Sequence, residues 1–173
     1  MTPEGGPQPA SIPNVAAVCG LPCEACSLYI ATHHDPARLP ILAARWKMPV
    51  EVMHCDGCRA ERRSFYCQTC ELFTCAAERG LAFCIECDEY PCKALDDFRG
   101  QAPHRAEIYA NLDRIRDAGV ETWLAETRGR YSCPSCGTIN SAYDLKCRSC
   151  GHTPSCAYVE AHQDEIRERL SQL

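Results

Sequence analysis

Apolar positions along the chain form helical stripes in its second half and lose their rhythm in the middle of the first. From His104 to Ala118, Ile108, Leu112 and Ile115 recur at helical spacing and Gly119 supplies a stop, which predicts an amphipathic helix. Val120, Trp123 and Leu124 share one side of a shorter helix after it. Val159, Ile166, Leu170 and Leu173 form a stripe on a last helix from Tyr158 to Leu173. Near the N-terminus the run Val15 to Val18 leads into Cys19, and Ser27 to Ala31 reads as a short apolar strand or a helical turn. Asp35-Pro36 has the form of a helix start, but Pro40 interrupts it. The helix is therefore expected from Ile41 to Lys47, with Ile41, Leu42 and Trp46 as its core face. Thr74 should cap a short helix from Cys75 to Arg79, and another should run from Pro91 to Arg99; Ile139 to Tyr143 reads as part of a hairpin.

Between His54 and Cys92 the periodicity is poor, and eight cysteines fall within 39 residues. Apolar packing cannot hold such a segment. Bound metal is the natural substitute, because each thiolate–metal bond replaces packing that the side chains do not supply. Sixteen cysteines in 173 residues fit either a disulfide scaffold or a metal-rich intracellular protein. Met1 to Asn14 has four prolines and two adjacent glycines but neither a basic nor an apolar signal region, so it reads as a disordered leader. No apolar run approaches the ~20 residues of a membrane span. These features point to a cytoplasmic protein without membrane contact, whose cysteines hold metal rather than disulfides.

The formal net charge is −5. Three zinc sites of four thiolates, each formally −2, would take it to about −11, the wrong sign for nonspecific phosphate binding. From Gly129 to His152 the basic residues Arg130, Lys146 and Arg148 stand against Asp144 alone, with Tyr131 and Tyr143 near them. That is the one candidate nucleic-acid surface, and three charges do not separate it from an ordinary solvated face.

The sharpest motif is Cys133-Pro-Ser-Cys136-Gly followed by Cys147-Arg-Ser-Cys150-Gly, with ten residues between Cys136 and Cys147, the spacing of two facing knuckles of a one-zinc ribbon. In the front part, Cys23/Cys26, Cys55/Cys58, Cys70/Cys75 and Cys84/Cys87 offer eight ligands, enough for two further ions and about three zinc ions in all. Gly57 is placed to take the positive φ of a tight knuckle. Spacing does not say which pair meets which. Cys19, Cys67 and Cys92 are left over and can each replace a ligand; Cys19 and Cys92 are counted in the expected metal set, and His54 is read as solvated or as a neighbour of the ligands. The expected fold is a small metal-stabilised α+β protein. It comprises a leader (1–14), a cysteine-rich module (15–100), a helical connector (101–128), a zinc ribbon (129–156) and a C-terminal helix (157–173).

Cys19-Gly-Leu-x-Cys23-x-x-Cys26, Cys55-Asp-Gly-Cys58, Cys70-x4-Cys75 and Cys84-x-x-Cys87-Asp-Glu-Tyr-Pro-Cys92 together resemble a family of small cysteine-rich prokaryotic proteins, domain-of-unknown-function family 3795. The resemblance covers roughly residues 16 to 100. Some members are similar further on, with a Gly-Val-Glu-x-Trp-Leu helix and a zinc ribbon, here Gly119 to Gly151; Cys67 departs from the pattern. The resemblance implies metal binding and supplies no biochemical role.

The function expected is that of a zinc-binding adaptor or interaction protein with a protein partner. The competing class is an iron–sulfur or thiol-based redox enzyme using the front cysteine cluster. Cys19-x3-Cys23-x2-Cys26 also has the spacing of the cluster loop in radical S-adenosylmethionine enzymes, but the chain has neither their length nor their strand–helix alternation. Cys92 is the one candidate nucleophile: a helix start there would favour its thiolate, whereas Asp88 and Glu89 oppose it and no histidine is close in sequence. Its place at the end of the Cys84-x-x-Cys87 series favours a ligand role.

Overall fold

The computed structural model describes residues 11–172, so most of the expected leader, and Leu173, lie outside them. Eight α-helices follow one another among these residues: α1 (Ser27–His33), α2 (Arg38–Trp46), α3 (Phe65–Gln68), α4 (Glu71–Glu78), α5 (Lys93–Gly100), α6 (Ile108–Ala118), α7 (Val120–Tyr131) and α8 (Ala157–Ser171). The only β pairing among the described residues is two isolated antiparallel bridges, Ala16 with Pro22 and Ser132 with Ile139. The protein is thus mostly helical, and the α+β expectation is corrected. The reason is visible at the expected hairpin. Only Ile139 pairs there, with Ser132; beyond it Ser141 N–H donates to the Asp144 carboxylate (2.8 Å), and Tyr143 N–H to the Ser141 hydroxyl (3.2 Å), so local side chains take the place of a longer ladder. None of the helices is long and apolar enough to cross a membrane.

Helix boundaries differ from expectation where tertiary contacts decide them. α2 begins before Pro40, because a proline in the first turn occupies a position whose N–H has no helical acceptor. It ends on Lys47 in the left-handed region (φ 54°), with Met48 N–H reaching back to the Ala43 carbonyl (3.0 Å). Thr74 does not cap a helix start; α4 begins at Glu71, and the Thr74 hydroxyl donates to the Cys70 carbonyl (3.3 Å). Cys92 is the N-cap of α5. The expected 104–118 helix divides into a 3-10 turn, Pro103–Arg105, and α6.

Three apolar cores result. The largest joins Val15–Cys19 to Leu72, Phe83, Leu95, Ile108, Leu112, Trp123 and Leu124. Each fully buried aliphatic side chain there contributes about 1.5–3 kcal/mol. The Val15–Val18 run is tied into it through its backbone: Cys23 N–H donates to Val15 (2.8 Å) and Cys84 N–H to Val18 (2.8 Å). Gly20 turns the chain at φ 82°, and a Cβ there would lie 2.9 Å from Leu112 of α6, so only glycine lets the Cys19 turn sit on that helix. Arg59 crosses the same region, donating to the carbonyls of Ala16 (2.8 Å) and Ala82 beneath the Phe83 ring. A second core gathers Leu28, Leu39, Leu42, Met53 and Cys55. Of the expected α2 face only Leu42 belongs to it; Ile41 and Trp46 are 62% and 43% exposed. A third core combines Tyr131, Ala142, Cys156, Tyr158, Val159 and Ile166 with Ala25 from the front of the chain.

Polar contacts join the C-terminal part to the front. Tyr158 OH donates to the Pro103 carbonyl (2.6 Å), Arg38 pairs with Asp144 (3.0 Å), and Glu107 receives both Arg130 and His162. His104 Nδ1 meets Tyr143 OH at 2.7 Å. Burial first, and then the positive charges of Arg105 and Arg169, lower the His104 pKa from 6.5 to about 3. Between those values the unfolded chain binds a proton that the folded one refuses, so His104 supports the fold above pH 6.5 and withdraws that support as pH falls. From pH 7 to pH 5 the wild type should lose about 2 kcal/mol more stability than His104→Gln, measured by denaturant unfolding at both pH values; equal losses would remove His104 from the account.

Candidate metal centre

The four C-terminal cysteines sit on two copies of one turn. Cys133 N–H donates to Thr138 (2.9 Å) while Gly137 N–H returns to Cys133 (2.8 Å). Cys147 N–H donates to His152 (2.8 Å) while Gly151 N–H returns to Cys147 (2.9 Å). Gly137 and Gly151 hold φ of 74° and 77°, which is why glycine follows each pair. The turns face each other and bring Cys133 Sγ to 3.6 Å from Cys150 Sγ, and Cys136 Sγ to 3.6 Å from Cys147 Sγ. All four sulfurs lie within 4.8 Å of one another. A tetrahedral zinc with Zn–S bonds of about 2.3 Å requires sulfurs about 3.8 Å apart, so this donor set fits such an ion.

Electrostatics favour the same conclusion. Burial works against a Cys147 thiolate, yet the N–H groups of Cys150 and Ser149 and the Asn140 amide outweigh it and bring its pKa down to about 6. At Cys150 the His152 N–H favours the thiolate, but the thiol of Cys136, burial and the other sulfurs push the pKa up to about 11. Four adjacent sulfurs cannot all ionise by themselves; a cation between them reverses that balance.

Asn140 organises the site and is not in the expected set. It is fully buried, and its amide donates to Thr138 (2.9 Å), Ser155 (3.3 Å) and Cys147 Sγ (3.6 Å); its carbonyl oxygen accepts from Arg148 N–H (3.0 Å). One side chain thereby joins both knuckles and the approach to α8. A lone asparagine in a short polar loop carries no spacing signal that could have revealed it. The basic residues nearby are largely committed inward: Arg148 donates to the Ile139 carbonyl (2.9 Å), and Arg130 pairs with Glu107. Tyr131 is stacked on Tyr158 at 4.7 Å and Tyr143 is held by His104.

The front cysteines are gathered more loosely. All sixteen cysteines of the chain are free, and among the described residues only the C-terminal tetrad groups three or more ligand atoms within 4.8 Å. Cys19 is buried and neighbours Cys58, Cys84 and Cys70. Cys23 neighbours Cys58, Cys26 and Cys55. Cys84 lies near Cys92, Cys75, Cys70 and Cys87; burial and these sulfurs push its pKa up to about 12. Arg79 donates to Cys87 Sγ (3.2 Å). Cys67, outside the expected set, neighbours Cys55; that thiol first, and then the Ser64 and Gly57 N–H groups, outweigh burial and bring the Cys55 pKa down to about 6. Backbone N–H groups point at these sulfurs as they do in the tetrad: Leu21 at Cys19, Leu28 and Tyr29 at Cys26, Gly57 and Ser64 at Cys55. His54 keeps a buried Nδ1 without a hydrogen-bond partner.

Asn140→Ala removes the shared clamp while leaving all four sulfurs. Competition with a chromophoric chelator should show metal affinity reduced about 10- to 100-fold, and unfolding should show a loss of about 1–3 kcal/mol. Unchanged affinity would mean that the knuckles hold their geometry without it.

No curated protein and no solved structure matches the chain. Residues 15–97 match the model of the family described as "Protein of unknown function (DUF3795)", which supports the resemblance carried by the front cysteines and leaves the C-terminal tetrad outside the matched region.

Proposed function

We propose that this is a zinc-binding protein whose metal is structural and whose role is to present a metal-stabilised surface to a protein partner. The observation that carries the reading is the tetrad, whose 3.6 Å sulfur contacts suit a four-thiolate ion. Four protein thiolates fill a tetrahedral coordination sphere and leave no position for water or substrate, which is the arrangement of structural rather than catalytic zinc. Bound there, zinc would neutralise the thiolates and lock the two turns together. The residues around it supply the rest: Asn140 fixes Cys147, while α7 and α8 carry the tetrad against the 3-10 turn Cys23–Ala25 through Tyr131, Tyr158 and Ala25.

The same reading extends to the front cysteines as zinc ligands and to Cys92 as one of them. Cys92 caps α5 beside Cys84, within a set of five neighbouring thiols. The inward use of Arg130 and Arg148 favours a protein partner over nucleic acid, since phosphate binding needs free cations. A reducing compartment such as the cytoplasm would keep these thiols available for metal.

Metal analysis of the purified full chain tests the proposal. Zinc should be present, and Cys147→Ser should carry one zinc per chain fewer than the wild type. A wild type free of metal, or one holding iron with acid-labile sulfide, would sink the reading.

A further inference from the structure

The tetrad divides its sulfurs by exposure. Cys133 and Cys147, the first cysteine of each knuckle, are 2% and 4% exposed, whereas Cys136 and Cys150, the second of each, lie open to solvent. Each exposed sulfur faces a buried one on the opposite knuckle, Cys150 against Cys133 and Cys136 against Cys147, both at 3.6 Å. These contacts use every sulfur once, so the four thiols fall into two pairs that cross the site. In each pair one member is reachable from solvent, and the other is fixed by burial within reach of it.

We propose that the tetrad is a redox switch: a hydroperoxide converts it into two disulfides that cross between the knuckles, Cys133–Cys150 and Cys136–Cys147, and its metal is released. The inference rests on the reading of the tetrad as a zinc site and names a regulation of that site. The exposed thiolate, Cys136 or Cys150, attacks the outer oxygen of the hydroperoxide. An S–O bond forms, the O–O bond breaks, and the departing alkoxide or hydroxide takes a proton to leave as alcohol or water. The buried partner's thiolate then attacks that sulfur. The S–S bond forms, the S–O bond breaks, and hydroxide leaves with a second proton as water. Each bridge thus oxidises two thiolates and reduces one hydroperoxide. Once both have formed, no thiolate remains to hold a cation. The movement required is small: an S–S bond of about 2.05 Å closes each 3.6 Å contact by about 1.5 Å. Release is also separable from unfolding. The bonds of Asn140 to Thr138, Ser155 and Arg148 involve no sulfur and survive oxidation, and the crossed bridges join the two turns where the ion did. Bridges inside Cys133–Cys136 and Cys147–Cys150 would instead leave the turns unlinked.

Hydrogen peroxide added to the full-length protein purified with its zinc tests the switch without a variant. A chromophoric chelator should register at least one zinc released per chain, and non-reducing peptide mapping should locate the bridges. Trypsin cuts after Arg130, Lys146 and Arg148, which places Cys133 and Cys136 in one peptide (131–146), Cys147 in a second and Cys150 in a third. Peptide 131–146 should be joined to both of the others, with fragmentation assigning Cys133 to Cys150 and Cys136 to Cys147. Any other pairing, such as an internal Cys133–Cys136 bridge, overturns the proposal. So does recovery of the tetrad reduced and loaded while peroxide consumes the front cysteines; in either case the zinc reading stands. A wild type that holds no zinc before oxidation overturns both.

Discussion

Sulfur atoms held at 3.6 Å cannot all be thiolates unless a cation lies among them, and the C-terminal third of the molecule is arranged around that requirement. Two identical turns place the sulfurs, two left-handed glycines make the turns possible, and Asn140 bonds to both. The surrounding structure keeps the turns in register. α7 runs without a break into the first knuckle, and α8 returns to cover it, so Tyr131 and Tyr158 stack beneath the site. The unit is fixed to the remainder of the chain at Pro103, His104 and Glu107 and at Ala25.

The front of the chain obeys a different balance. Its largest core is built on a short apolar run that crosses between α6 and the cysteine turns, and Arg59 fills backbone acceptors that no sheet is present to satisfy. The core accounts for Val15 to Cys19, Phe83, Leu95 and the helices after them. It does not account for the sulfur-rich rim, where Cys58, Cys70, Cys84 and Cys92 pack only partly buried. Backbone donors aimed at thiol sulfur are poorly used by a neutral S–H group and well used by a thiolate bound to metal. The rim is therefore a set of free thiols that the core leaves partly covered.

How much of this was legible in the sequence depended on distance along the chain. The tetrad was readable because its four ligands and both glycines lie within one short segment, where spacing alone dictates geometry. α6 and the apolar stripe of α8 were readable from period. The α2 face was not: Ile41 and Trp46 share the stripe with Leu42, but periodicity cannot say that the neighbouring elements cover only one side of it. Strand content falls short of expectation because Ser141 and Asp144 close a local turn just beyond the bridged Ile139. Spacing carries less weight in the front segment. A two-residue gap keeps both residues on one turn only where no helix begins between them, and the start of α4 separates Cys70 from Cys67.

Everything in this account turns on zinc being held by sulfur alone. X-ray absorption at the zinc edge of the purified holoprotein examines that bond without relying on a variant. The account predicts a first shell of four sulfurs at about 2.3 Å and no nitrogen or oxygen scatterer. A shell with nitrogen or oxygen at about 2.0–2.1 Å, as histidine or water would give, contradicts it.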